Sequence, residues 1–253
     1  MNKSRLRKIT DRVWMIVGSN RRIQPNIGII TNKTETVLVD CGNSPAWGNF
    51  IQEVLTSTGA APVSHIIYTH HHWDHVFGAM SFDAPIIAHE KCLDYLKLEA
   101  QKPWSAQFLK EEAAKNPKNK TGYDVKIRAV QHWDDFRIRL PQLTFRDRMV
   151  LELSDGRLLL ESTDSPHSED SVLVYDEQDR VLFAGDAFYP PPYHERVPHQ
   201  YGETEMTKNG FSKRVLRQIL THEVNTVLHG HGMPLKRQDV IGELGDGDNA
   251  TYR

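Results

Sequence analysis

Five side chains of metal-binding type, four histidines and an aspartate, fall within His70-His71-His72-Trp73-Asp74-His75, just after the apolar run Ile66-Ile67-Tyr68. In extended chain, side chains two apart share a side, so His70 and His72 converge on one point while His71 faces away. A helix starting near Asp74, favoured by an acid at its N-terminus, turns Asp74 and His75 to a different angle. That spacing suits two ions held close together better than one.

Three more groups downstream fit such a centre. His167 lies in Asp164-Ser165-Pro166-His167-Ser168, a loop between expected strands where an imidazole has no packing role. Asp186 follows Val181-Leu182-Phe183-Ala184-Gly185, a strand end with glycine before it for close backbone approach. Its two oxygens can bridge two cations. His231 follows another apolar run in Val227-Leu228-His229-Gly230-His231-Gly232; His229 competes for the role, but glycines on both sides favour His231.

The elements that must position these groups read as alternating strands and helices. Residues 12–17, 26–31 and 36–39 form short strands, with a polar loop at 19–25. The third strand ends at Asp40-Cys41-Gly42, where Asp40 is either a turn cap or the partner that orients a metal-bound histidine. Residues 44–58 predict a helix, with Pro45 in the first turn, an apolar stripe of Phe50, Ile51, Val54 and Leu55, and Gly59 as its stop. A strand at 84–88 leads to His89, read as structural. Residues 90–116 are helical in period but interrupted by Pro103, which predicts two helices; 115–121 reads as a polar loop, and 123–140 as either a further helix or a lid. A hairpin with an Asp155-Gly156 turn joins strands near 149–153 and 158–160, and further strands follow at 172–175 and 181–184. One domain over 1–253, with a helical insertion at about 90–140, accommodates all of this.

Composition narrows the partners. The chain has 253 residues, 39% of them apolar, and a net charge of -2; its mean hydropathy is -0.53. That balance supports a core and offers no basic face for nucleic acid. No apolar run reaches membrane-spanning length, and the basic N-terminus leads into too short an apolar stretch for a secretory leader. A cytoplasmic protein acting on a small molecule is expected, with no nucleic-acid or membrane partner; oligomeric state is not legible. Cys41 and Cys92 stand in unrelated contexts, which argues against a disulfide framework and a thiolate zinc site.

Taken together, His-x-His-x-Asp-His, a lone loop histidine, an aspartate after an Ala-Gly strand end, and Gly-His-Gly near the C-terminus resemble the metallo-β-lactamase superfamily, in the family's order from Val13 through His231. The resemblance implies an α+β fold, a four-layer αββα sandwich of two mixed sheets flanked by helices, with a dinuclear site at one edge. It implies His70, His72 and His167 on one ion, Asp74, His75 and His231 on the other, Asp186 bridging, and Asp40 orienting a ligand. Lactamases of the superfamily usually carry cysteine or serine where this chain has Asp186. The His-His-His-Trp-Asp-His version is similar to that of glyoxalase II, although the helical region that binds the glutathione thioester there has no counterpart in the short polar stretch after His231. The additional domains of alkylsulfatases, and the insertion and basic surface of the nuclease branch, are not evident either.

The implied chemistry is hydrolysis of an ester-like bond: a thioester, lactone, ester, or sulfate or phosphate ester. Two close divalent ions acidify a shared water toward neutral pH and polarise the substrate's oxygen. Asp74 and Asp186 are the expected catalytic carboxylates, and Asp74 also orients the nucleophile. In the aromatic, proline-rich stretch 189–194, His194 or Tyr193 is the expected proton or hydrogen-bond donor. Trp73 is expected beneath the site, with Trp104 and Trp133 at the cleft. A ligand set without sulfur makes zinc the default and leaves manganese or iron compatible. The alternatives are an iron-loaded redox enzyme of the same fold and a metal-binding module without catalysis.

Overall fold

A computed structural model describes residues 5–188, 206–207 and 210–245. A seven-stranded mixed sheet runs in chain order: β1 (Leu6–Lys8), β2 (Val13–Ile16), β3 (Ile27–Thr31), β4 (Thr36–Val39), β5 (Val63–Ile67), β6 (Ile86–His89) and β7 (Leu143–Phe145). The first four strands pair antiparallel; from β4 to β7 each pair is parallel. The second sheet has six strands, β8 (Arg148–Leu153), β9 (Gly156–Ser162), β10 (Val172–Asp176), β11 (Val181–Phe183), β12 (Thr226–Leu228) and β13 (Leu235–Lys236). It is antiparallel except where β11 meets β12.

The period-two alternation of these strands sends side chains to three apolar layers. Val37 and Val39 of β4, Ile67 of β5, Leu158 and Leu160 of β9, and Val172 and Val174 of β10 interdigitate between the sheets. Their neighbours Leu38 and Ile66 turn to the opposite face, against helices. On the far side, Leu159, Leu173 and Leu182 meet α6 (Lys213–Leu220) and α7 (Arg237–Leu244) through Leu216, Ile219 and Val240. Helix, sheet, sheet, helix is therefore the order of layers. Among the described residues, no helix is long and apolar enough to cross a membrane.

Helix α1 (Pro45–Thr58) follows the sequence closely. Ser44 caps it by accepting from the Trp47 amide, and Gly59 ends it at φ 69°, a left-handed conformation that favours glycine. Its Ile51 is fully buried and Leu55 nearly so, each worth roughly 1.5–3 kcal/mol of burial. The short helix α2 (Trp73–Val76) begins one residue before Asp74, so the ligand cluster spans a strand end and a helix start.

Residues 90–140 hold more helix than their sequence announces. Pro103 does separate α3 (Glu90–Ala100) from α4 (Ala106–Lys115). The polar stretch 115–121, expected as a loop, instead forms a 3-10 turn at Pro117–Asn119 and the start of α5 (Lys120–Val130). Packing of α5 against α4 and α1, with Tyr123, Ile127 and Val130 in the helical-side core, outweighs the poor propensity of that stretch. Beyond it, Trp133 and Ile138 are buried in irregular chain. The short edge strands β1, β7 and β13 also went unanticipated, since two or three residues carry too little pattern to register.

Candidate metal centre

Strand ends of both sheets deliver the site. Asp40 follows β4, His70 and His72 lie on the segment joining β5 to α2, and Asp74 and His75 on α2. His167 lies between β9 and β10, Asp186 just after β11 and His231 just after β12. Donor atoms of His70, His72 and His167 converge within 4.8 Å of one another, as do those of Asp74, His75 and His231. A third group, His70, His75 and Asp186, meets the same limit and links the other two. Asp186 Oδ2 is 3.7 Å from His167 Nε2, 3.5 Å from His75 Nε2 and 3.4 Å from His231 Nε2, so one carboxylate oxygen faces both triplets. Asp74 Oδ2 stands 3.1 Å from His231 Nε2 and 3.6 Å from His75 Nε2.

Asp40 uses its side chain on Thr69 and His75, the orienting contact that its sequence context allowed rather than a turn cap. It adopts φ 63° at the turn after β4, a region where aspartate is tolerated better than most residues. Its Oδ2 is 2.7 Å from His75 Nδ1 and accepts the Thr69 hydroxyl at 2.9 Å, while Oδ1 accepts the Thr69 amide at 2.8 Å. Thr69 Oγ1 in turn lies 3.1 Å from His70 Nδ1. A hydroxyl that gives its proton to Asp40 has lone pairs left for the His70 Nδ1 proton. One buried carboxylate thereby fixes the tautomer of two imidazoles, directly and through threonine, and turns both Nε2 lone pairs toward the centre. Gly185 makes room for this: a Cβ there would lie 2.4 Å from Thr69 Oγ1.

The donors fit a cation. His70 Nε2, His75 Nε2 and Asp186 Oδ1 are buried without a hydrogen-bond partner, an arrangement that costs free energy unless another group completes it. Asp40, Asp74 and Asp186 are all buried, and buried carboxylates require opposing charge. Burial works against charge on His75, yet Asp186, Asp40 and Asp74 hold its pKa well above the ordinary histidine value. His231 is raised in the same way, against its burial, by Asp186 and Asp74. Burial and the rings of His75 and His72 push His70 well below that value. Burial would raise Asp186 and Asp74, but His75 and His231 hold both low. The site thus gathers three carboxylates whose charge His75 and His231 balance by holding protons, protons that a divalent ion taking their place would displace.

Cys41, although close, is no ligand: it is fully buried and its thiol approaches the His75 carbonyl oxygen at 3.1 Å. Burial, followed by the charge of Asp40, pushes its pKa well up, so the reactive thiolate is disfavoured.

His71 faces away from the donor groups, as the extended spacing requires. Its ring nitrogen Nδ1 is 3.0 Å from Asp170 Oδ1 and its amide donates to Asp170 Oδ2 at 2.7 Å. His229 lies outside all three donor groups, with Nε2 2.9 Å from the Met233 carbonyl. His89 caps α3 by accepting from the Lys91 amide, a structural role. Trp104 and Trp133 stack on each other at 6.2 Å and pack with Phe77 and Phe136 in the helical layer. Trp73 packs edge-on to Phe77 at 5.9 Å. His194, with the 189–194 stretch, lies outside the described residues.

Sequence reasoning missed four supports. Thr69 relays Asp40 to His70. Asp170 holds the His71 backbone. Ser165 accepts the His167 amide and donates to the Ala187 carbonyl, both at 3.1 Å, tying two ligand segments together. Asn26 donates to the His229 and Gly232 carbonyls at 2.8 and 2.7 Å, bracketing His231. Two have local partners, Thr69 beside His70 and Ser165 two residues before His167; the rest of their contacts, and those of Asp170 with His71 and of Asn26 with His229 and Gly232, reach across the chain and leave no sequence signal.

A family model for the metallo-beta-lactamase superfamily matches residues 20–231. The chain belongs to that superfamily. A metallo-beta-lactamase from Pontibacter korlensis superposes with a TM-score of 0.60 at 16% identity, covering 94% of this chain and 96% of its own. The B3 metallo-beta-lactamase BLEG-1 gives 0.59 at 19% identity, covering 90% and 95%. A metallo-beta-lactamase family protein from Thermus thermophilus gives 0.60 at 20% identity, covering 94% of this chain and 79% of that one. At these identities the neighbours establish the fold. Comparison with curated proteins by sequence found no match.

Proposed function

We propose that this protein is a metal-dependent hydrolase that holds two divalent ions, zinc by default, and cleaves an ester-like bond in a small molecule. The observation that carries the reading is the convergence of seven nitrogen and oxygen side chains from both sheets on one spot, with three of their buried donor atoms unpartnered. His70, His72 and His167 would hold one ion and Asp74, His75 and His231 the other, with Asp186, whose Oδ2 faces nitrogens of both triplets, shared between them. When bound, such a pair supplies a water acidified toward neutral pH and a Lewis acid for the substrate's oxygen.

The chain's own residues supply the rest. Asp40 keeps a proton on His75 Nδ1, leaving Nε2 to donate its lone pair, and Thr69 does the same for His70. Asp74, placed beside His231 and His75, orients the attacking water through its second oxygen. Asp186 sets the separation of the two halves. An all-nitrogen-and-oxygen donor set also suits manganese or iron, so metal identity is part of the test.

The test is a hydrolysis screen over ester, thioester, lactone, sulfate-ester and phosphodiester substrates with metal stoichiometry measured on the same preparation. Two equivalents of metal with turnover of one bond class support the reading. Full metal with no turnover in any class indicates a binding module, and a visible absorption band with bound iron and no hydrolysis indicates redox chemistry instead.

A further inference from the structure

A cavity of about 910 Å³, none of whose lining residues is a proposed metal ligand, is lined by Arg5, Arg21, Arg22 and Arg128, with Trp47 and Phe50 in its wall. Among the described residues no carboxylate lines it, and no salt bridge reaches any of the four arginines. Four arginines on one cavity wall without a described acid stand out in a chain whose net charge is -2, although Arg5 also donates to Gln24 Oε1 at 3.1 Å. The summed potential of four cations lining one space favours an anion there. Guanidinium is the side chain best matched to the planar or tetrahedral oxygens of carboxylate and phosphoryl groups. The apolar side is equally built: Trp47 and Phe50 stack at 4.8 Å and 11°, and Arg5 lies 5.2 Å over the Trp47 ring.

The loop that carries Arg21 and Arg22 is pinned rather than loose. Asn43, three residues past Asp40, donates to the Arg22 and Ile23 carbonyls at 2.9 and 2.8 Å. Ile23 is held at φ 47°, a left-handed conformation costly for a β-branched residue. Asn26, at the loop's other end, is fastened beside His231. Two amide clamps thus anchor one arginine-bearing loop to both strand ends that flank the metal centre, and α5 brings Arg128 to the opposite side.

We propose that this cavity binds the anionic end, a carboxylate or phosphoryl group, of an organic molecule whose apolar part rests on Phe50. Resting on the hydrolase reading, that molecule is the substrate. The charge is recognised in the arginine cavity and the scissile bond lies toward the metal centre.

The direct test is calorimetric titration of the metal-loaded protein with phenylphosphonate, inorganic phosphate and uncharged benzamide, in the wild type and in Arg22→Gln/Arg128→Gln. Loss of two charge-assisted contacts is expected to weaken phenylphosphonate binding roughly ten- to hundredfold, with metal content unchanged and benzamide binding negligible. Equal affinity in the two proteins, or no binding by the wild type, overturns the proposal. Phosphate binding as tightly as phenylphosphonate overturns the organic part of it. With matched anionic and neutral esters, the double variant should raise KM for the anionic one alone at unchanged kcat; an unchanged KM overturns the substrate assignment. Intact phenylphosphonate binding in a wild type that hydrolyses nothing would count against the hydrolase reading and leave the anion site standing.

Discussion

Asp40 Oδ2 lies 2.7 Å from His75 Nδ1, and the same oxygen takes the hydroxyl proton of Thr69, whose Oγ1 is 3.1 Å from His70 Nδ1. Two imidazoles in adjoining donor groups are therefore held in one protonation pattern by a single carboxylate. Thr69→Val removes the relay while keeping shape and is expected to weaken metal binding roughly ten- to hundredfold. Thr69→Ser restores the hydroxyl and most of the affinity. Chelator competition on the two variants checks this; equal affinity in both would disprove the relay.

Asp186→Ala is expected to lower bound metal and abolish hydrolysis, because its Oδ2 faces nitrogens of both triplets. Metal analysis and turnover of the best substrate from the screen provide the check. Full activity would remove the bridging assignment.

The two neighbouring histidines of the last segment should behave differently. His231→Gln is expected to lose about one equivalent of metal, and His229→Gln none, since His229 lies outside the donor groups and engages the Met233 carbonyl. The reverse result would transfer the ligand role to His229.

Gly230→Ala places a methyl 2.0 Å from Asp186 Oδ1 and 2.9 Å from His75 Cε1. The carboxylate must move, so metal affinity should fall at least about tenfold while far-ultraviolet circular dichroism stays native. Unaltered affinity would show that the glycine is replaceable.

Asp170 gives a pH dependence. Burial would raise its carboxyl, but hydrogen bonds from His71 and Ser168 hold it below the ordinary aspartate value. A lowered folded pKa contributes stability that is present above 3.8, the unbound reference, and is lost as pH falls through the folded value. Asp170→Asn should therefore be less stable than wild type at pH 7, with the gap closing under acid. Denaturant midpoints at pH 7 and at about pH 3 measure it, and a gap that widens in acid would contradict the sign.

What the sequence revealed and what it hid divide along physical lines. His70, His72, Asp74 and His75 were legible because strand and helix periodicity act within six residues, and Asp186 and His231 because apolar runs point at them. The sandwich itself came from the family resemblance, and the alternation in β4, β9 and β10 supplies its physical cause. Helix α5 was hidden because Pro117, two asparagines and Gly122 argue locally for a loop, and only contact with α4 and α1 decides otherwise. Asp170 was hidden because its partner His71 is 99 residues away.

The apolar layer between the sheets has a consequence beyond holding them together. Four of the seven converging groups hang from one sheet and three from the other, so the greasy interleaf of Val37, Ile67, Leu160 and Val174 serves as the jig that aligns two half-sockets. A methyl group trimmed from that seam would shift one half-socket against the other before it softened the fold.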